Sequence, residues 1–183
     1  MNYSNLEKNL TDMVMEQQAK LGYMSETVRL YYPLSSLNAI LGENLTREEM
    51  QDALDGFSEN VRERLGKIQV SHSGDRFCLV LPPEMSDHVH SLTELPGNED
   101  FHFILDFVKT ISRHECTIEE LKDLFDSYSD KVCMESPHSD DYDYMLWFED
   151  GKPDSYRYLI TDEGVHLTYH RYTPEDYKDI FKE

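Results

Sequence analysis

The sequence is poor in basic residues, glycine and cysteine, and it holds no long apolar run. Only 17 lysines and arginines stand against 37 aspartates and glutamates, a formal charge of -20. A surface of that sign repels phosphate backbones and anionic headgroups, so neither nucleic acid nor a membrane is expected as a partner. It suits cationic partners, a basic protein or a divalent metal, and solubility alone explains it equally well. No stretch approaches the ~20 apolar residues that span a bilayer. The opening MNYSNLEKNL has no basic region followed by an apolar one. The expectation is a soluble, cytoplasmic protein. The 3 cysteines, Cys78, Cys116 and Cys133, form no CxxC pair. That spacing gives no zinc knuckle, and it suits a reducing compartment better than a disulfide framework. With 8 glycines the chain contains no G-x-x-x-x-G-K-[ST], G-x-G-x-x-G or G-x-S-x-G pattern. Nothing therefore cradles phosphate or builds a nucleophile elbow, and no cofactor is expected.

What is present is periodicity. Ser4 and Glu7 have capping-box spacing, and Leu6, Leu10, Met13, Val14, Gln17 and Leu21 follow at helical intervals up to Gly22. In RLYYPLSSLNAILG, Pro33 stands near a helix start, with Leu37, Ile40 and Leu41 on one face. Thr46 and Glu49 make a second capping box, and Met50, Ala53, Leu54, Phe57, Val61 and Leu65 predict a long helix closed by Gly66. The period then changes to two in KIQVSHSGDRFCLVL. A Ser73-Gly74 turn sets Val70 against Phe77 and Ile68 against Leu79. Three helices and a hairpin are the order of a winged-helix unit, an order that many small α+β domains share.

Pro82-Pro83 opens a short helix carrying Met85, Val89 and Leu92, and Pro96-Gly97 breaks the chain into two modules. The second half repeats the order. Phe101, Ile104, Leu105, Val108 and Ile111 predict one helix, and a Thr117–Glu120 cap opens another. Strands are expected around residues 131–135, 142–149, 156–161 and 165–172, then a helix at Thr173-Pro174. With Asp162-Glu163 as the loop, Tyr156, Tyr158 and Ile160 face Tyr169, Leu167 and Val165. The fold class is α+β: a winged-helix-like module over residues 1–95 and an α+β module with an antiparallel meander over 98–183. Two winged-helix-like modules are compatible with this order.

Few residues offer chemistry. His138 beside Asp140, Asp141 and Asp143 gathers oxygen and imidazole donors for a metal, but D-D-x-D lacks the glycine and distal glutamate of a calcium loop. A solvated connection explains the run as well. His166 and His170 sit about 13 Å apart if both lie on one strand, too far for one ion, though either could join carboxylates from elsewhere. His88 and His90, two apart on a helix, diverge. His114 near Cys116 suggests a base and a nucleophile without an orienting third group; a turn before a helix cap is the plainer reading. Met145, Trp147 and Leu159 share one strand face and make a docking patch if no helix covers them. The helix from Arg47 to Leu65 carries too many carboxylates to gather the field that DNA binding needs.

Three stretches together, RLYYPLSSLNAILG, GDRFCLVLPPE and FEDGKPDSYRYLITDEGVHLTYHRYTPEDY, resemble an uncharacterised bacterial domain family of unknown function and matching length. The resemblance covers essentially the whole chain. It implies a bacterial cytoplasmic protein and brings no activity, ligand or catalytic residue with it. The expected function is a non-enzymatic interaction or regulatory module, in its specific form an acidic partner of a basic protein. The alternative is a metal-assisted hydrolase built from histidines and carboxylates of the C-terminal half. Oligomeric state is not legible.

Overall fold

Capping and alternation account for most of the elements, and pairing between distant segments accounts for the rest. A computed structural model of the chain describes residues 3–95, 97–137 and 139–181. The chain divides into two compact units, Met1–Pro96 and Gly97–Glu183. No helix among the described residues is long and apolar enough to cross a membrane.

The first unit runs α1 (Tyr3–Leu21), β1 (Val28–Pro33), α2 (Leu34–Leu41), α3 (Arg47–Leu65), β2 (Gln69–Ser73), β3 (Arg76–Leu81) and α4 (Pro83–Thr93). Leu6, Leu10 and Val14 of α1 are buried as their spacing predicts, but Leu21 points outward at 67% exposure. Ser4 lies inside α1, so the expected capping box does not mark its boundary. Gly22 ends the helix with φ 84°. The Thr46–Glu49 box is complete, each side chain bonding the other residue's backbone N–H. Met50, Leu54, Phe57, Val61 and Leu65 of α3 face inward and are nearly inaccessible.

β1 is the element that the periodicity of its own segment does not announce. It pairs antiparallel with β3, so the sheet has the order β1-β3-β2. Pro33 is tolerated because β1 is an edge strand, where a missing N–H breaks no ladder bond. In the hairpin Val70 stands opposite Leu79 and His72 opposite Phe77. The turn is therefore Gly74-Asp75, not Ser73-Gly74, and the partners move by two residues. An even shift leaves each side chain on its predicted face. Phe77, Leu79 and Leu81 are accordingly all fully buried.

The second unit runs α5 (Glu99–Ile111), α6 (Ile118–Tyr128), β4 (Val132–Glu135), β5 (Tyr144–Phe148), β6 (Arg157–Asp162), β7 (Leu167–Tyr172) and α7 (Pro174–Phe181). Its sheet is a plain meander, β4-β5-β6-β7. One face packs on α5 and α6 through rings. Phe103 lies 4.9 Å from both Phe125 and Phe148, and Phe107 lies 4.6 Å from Tyr158 and 4.8 Å from Tyr169. Edge-to-face pairs of this kind stabilise by about 0.5–1.5 kcal/mol each beyond area burial. The buried side of α5 is Phe103, Ile104, Phe107, Val108 and Ile111. It is rotated from the predicted stripe, because the meander offers aromatic partners to Phe103 and Phe107.

Between β6 and β7, Ile160 pairs with Tyr169 and Asp162 with Leu167. The loop is thus residues 163–166, and the partners shift by four, again an even number. Val165 leaves the strand and is 53% exposed at the turn. Helices segregated from two antiparallel sheets make the chain α+β, as its patterning predicts. The units differ in sheet order and in helix arrangement, so the repeated order of elements is not matched by a repeated topology.

Candidate functional site

Among the expected metal ligands of the loop before β5, Asp143 engages its carboxylate in local structure and Asp141 its backbone. Asp143 Oδ2 accepts the backbone N–H of Asp162 at 2.8 Å, and the Asp143 N–H donates to Ile160 O at 2.9 Å. The carbonyl of Asp141 accepts the Thr161 hydroxyl at 2.9 Å, and its N–H donates to Ser139 Oγ at 3.2 Å. Asp140 is exposed on the same loop. His138 lies outside the described residues. These bonds join the loop between β4 and β5 to the end of β6, so this run fastens strands.

His166 and His170 do not share a strand. His166 belongs to the turn, where its carbonyl accepts the Glu163 N–H at 2.9 Å. Its ring meets His114 edge to face at 5.4 Å. His170 sits on β7 opposite Leu159, its Nδ1 3.4 Å from the Tyr142 hydroxyl. That hydroxyl also bonds Tyr172 at 3.1 Å, and burial pushes the Tyr142 phenol far above its ordinary pKa. The two imidazoles are drawn to different partners. Among the described residues no three His, Cys, Asp or Glu groups are gathered to hold an ion. The hydrolase alternative needs three ligands around an open position, and the described residues do not assemble that set.

The remaining candidates resolve locally. Cys116 is 6% exposed, just ahead of the Thr117 cap, and burial raises its pKa, which favours the unreactive thiol. His88 and His90 diverge as their spacing predicts. Burial and then the Arg64 charge lower the pKa of His88, while His90 stacks on Tyr23 at 3.8 Å. Met145 and Leu159 are 2% and 0% exposed, clustered with Tyr177 of α7. Trp147 is half-buried, with the Arg157 guanidinium 4.3 Å above its ring. That strand face is therefore covered by a helix.

A family model matches residues 3–181, nearly the whole chain. The chain belongs to that family: Domain of unknown function, E. rectale Gene description (DUF3877). This agrees with the resemblance to a bacterial domain family without a known activity. No curated protein and no solved structure matches the chain.

In this family member the outward surface of α3 carries a file of acidic side chains. Glu48, Asp52, Asp55, Glu59 and Glu63 are all exposed, at intervals of four, three, four and four, which places them along one side of the helix. The nearby arginines are engaged, two of them by Glu48 and Glu59 of the file itself. Arg47 pairs with Glu48 at 2.9 Å, Arg62 with Glu59 at 3.4 Å, and Arg64 holds Glu7 of α1 through both guanidinium nitrogens. The Arg64 hydrogen bond lowers the pKa of Glu7.

One contact is invisible in the sequence: the pairing of His114 with His166. His114 follows α5 and His166 caps a hairpin far along the chain. Only the folded sheet brings them together, and no local spacing announces it.

Proposed function

We propose that this chain is a non-enzymatic interaction or regulatory module that docks a basic protein on the outward side of α3. The carrying observation is the file of five carboxylates on that helix, of which Glu48 and Glu59 are paired with Arg47 and Arg62 while Asp52, Asp55 and Glu63 lie exposed between and beyond them. The sequence of helix, strand, two helices and hairpin supports a winged-helix-like reading of the first unit, since its first strand lies beside its last. In DNA-binding proteins of that shape, the helix at the position of α3 enters the groove. An acidic helix there repels phosphate and attracts cationic side chains, with association that quickens at low salt. The reading places the protein in the cytoplasm, a reducing compartment suited to the free thiols of Cys78, Cys116 and Cys133.

Affinity capture from native cytosol at low and at physiological salt tests this. A basic protein retained by the parent and released by added salt is expected, and its loss from an Asp52→Lys, Asp55→Lys, Glu59→Lys variant ties it to α3. Recovery of no basic partner at low salt removes the specific form. A gel shift with random duplex DNA at physiological salt is expected to be blank; a shifted band would overturn the exclusion of nucleic acid.

A further inference from the structure

The loop following α5 and the tip of the β6–β7 hairpin meet at one point. Glu115 donates its backbone N–H to Val165 O at 3.3 Å. Glu115 has φ 63°, a left-handed conformation uncommon for a residue other than glycine. That strained residue follows His114, whose ring faces His166 with centres 5.4 Å apart. Two imidazoles bound to one tetrahedral ion, through nitrogens roughly 2.0–2.1 Å from it, have their ring centres about 5 Å apart. The centre spacing suits a shared ion, but a metal–nitrogen bond lies in the ring plane, so binding turns one ring out of the edge-to-face arrangement about its Cβ–Cγ bond. The Glu115 carboxylate stands 3.9 Å from His114 Nδ1.

We propose that His114 and His166 form a binding site for a divalent transition metal, clasping the loop after α5 to the hairpin. Imidazole donors select zinc, nickel and copper over magnesium and calcium, which take oxygen ligands. The described residues bring no third ligand to the same point. The site is therefore an open pair completed by water and by rotation of Glu115, weaker than a closed structural zinc cage. The backbone bond from Glu115 to Val165 holds both segments in place beforehand, so binding orders little new chain. This inference is independent of the docking surface on α3, and either can fail alone.

The test uses the untagged full chain, titrated with Ni²⁺ and Zn²⁺ by calorimetry in millimolar Mg²⁺, which occupies carboxylate sites. Uptake of one equivalent is expected. His114→Ala and His166→Ala should each weaken it at least tenfold, and His170→Ala should leave it unchanged. In the parent protein, Zn²⁺ should shift the ring resonances of both His114 and His166, a readout that needs no variant. Parental affinity in both alanine variants overturns the proposal. So does loss of the bound equivalent on changing His138 or His170, or ring shifts confined to other histidines.

Discussion

The Tyr158 phenol donates a 2.8 Å hydrogen bond to Asp154 Oδ2 inside the aromatic core of the second unit. Both residues are buried, and Asp154 Oδ1 also accepts the Tyr156 N–H at 2.6 Å. One carboxylate therefore satisfies two buried donors ahead of β6. Asp154→Ala leaves both without a charged acceptor and should cost about 2–3 kcal/mol, the scale of a lost hydrogen bond to a charged group. Tyr158→Phe keeps the ring and one of the two bonds, and should cost less. Urea unfolding of the two variants checks this; equal midpoints for Asp154→Ala and the parent would show that the carboxylate contributes nothing.

Gly66 ends α3 with φ 78°, and a Cβ built there comes within 2.7 Å of Pro82 Cγ and 3.1 Å of Glu84 Cβ. Gly22 has a similar φ of 84°, but nothing lies within 4 Å of its Cβ position. Gly22→Ala should therefore cost only the left-handed penalty, about 1–2 kcal/mol. Gly66→Ala adds displacement of Pro82, the N-cap of α4, and should lower the melting temperature clearly more. Thermal melts of the pair separate backbone conformation from steric overlap.

Tyr128 Oη donates to Asp106 Oδ2 at 2.8 Å, and burial followed by this bond raises its pKa to about 12. A phenol whose folded pKa is raised stabilises the fold below its unfolded value near ~10, and the contribution is lost as pH climbs from there to the folded value. Stability should thus decline across that alkaline window, less steeply in Tyr128→Phe. Phenolate absorbance should show one tyrosine fewer titrating late in the variant. An unchanged slope would sink the assignment.

Two capping boxes carry the starts of α3 and α6. Thr46→Ala and Thr117→Ala should each cost about 1 kcal/mol. The partners Glu49 and Glu120 have lowered pKa values, first through the backbone N–H of Thr46 and Thr117 respectively; the Arg113 hydrogen bond adds to the effect at Glu120. A depressed carboxylate contributes above its unfolded pKa, and the contribution fades as pH falls through the folded one. Acid titration of helicity by circular dichroism should show this loss missing in Glu49→Gln and Glu120→Gln, which do not titrate, and largely kept in the threonine variants, whose backbone N–H remains.

Helix starts were legible because a cap is written within four residues, as at Thr46 and Thr117. Strand faces were legible because alternation is local. The edge strand β1 was not, since VRLYYP is short, ends in Pro33 and gains its structure only by pairing with β3. The inward side of α5 was misjudged because Phe101 and Leu105 fit the same helical period as Phe103 and Phe107; the aromatic partners on the meander decide between them. Both hairpin turns were misplaced by even steps, which polarity patterns cannot detect. The position of His166 went with them, and with it the meeting with His114.

The bonds from Asp162 N–H to Asp143 and from the Thr161 hydroxyl to Asp141 acquire a meaning from that last point. Sliding β6 along its neighbours by a pair of residues would put oily side chains back under oily ones, so burial alone is indifferent between the two alignments. The acidic turn before β5 acts as the catch that picks one of them. An Asp143→Ala chain would keep its core composition and lose its alignment mark. Its signature would be extra backbone resonances along β6 with little change in overall helicity.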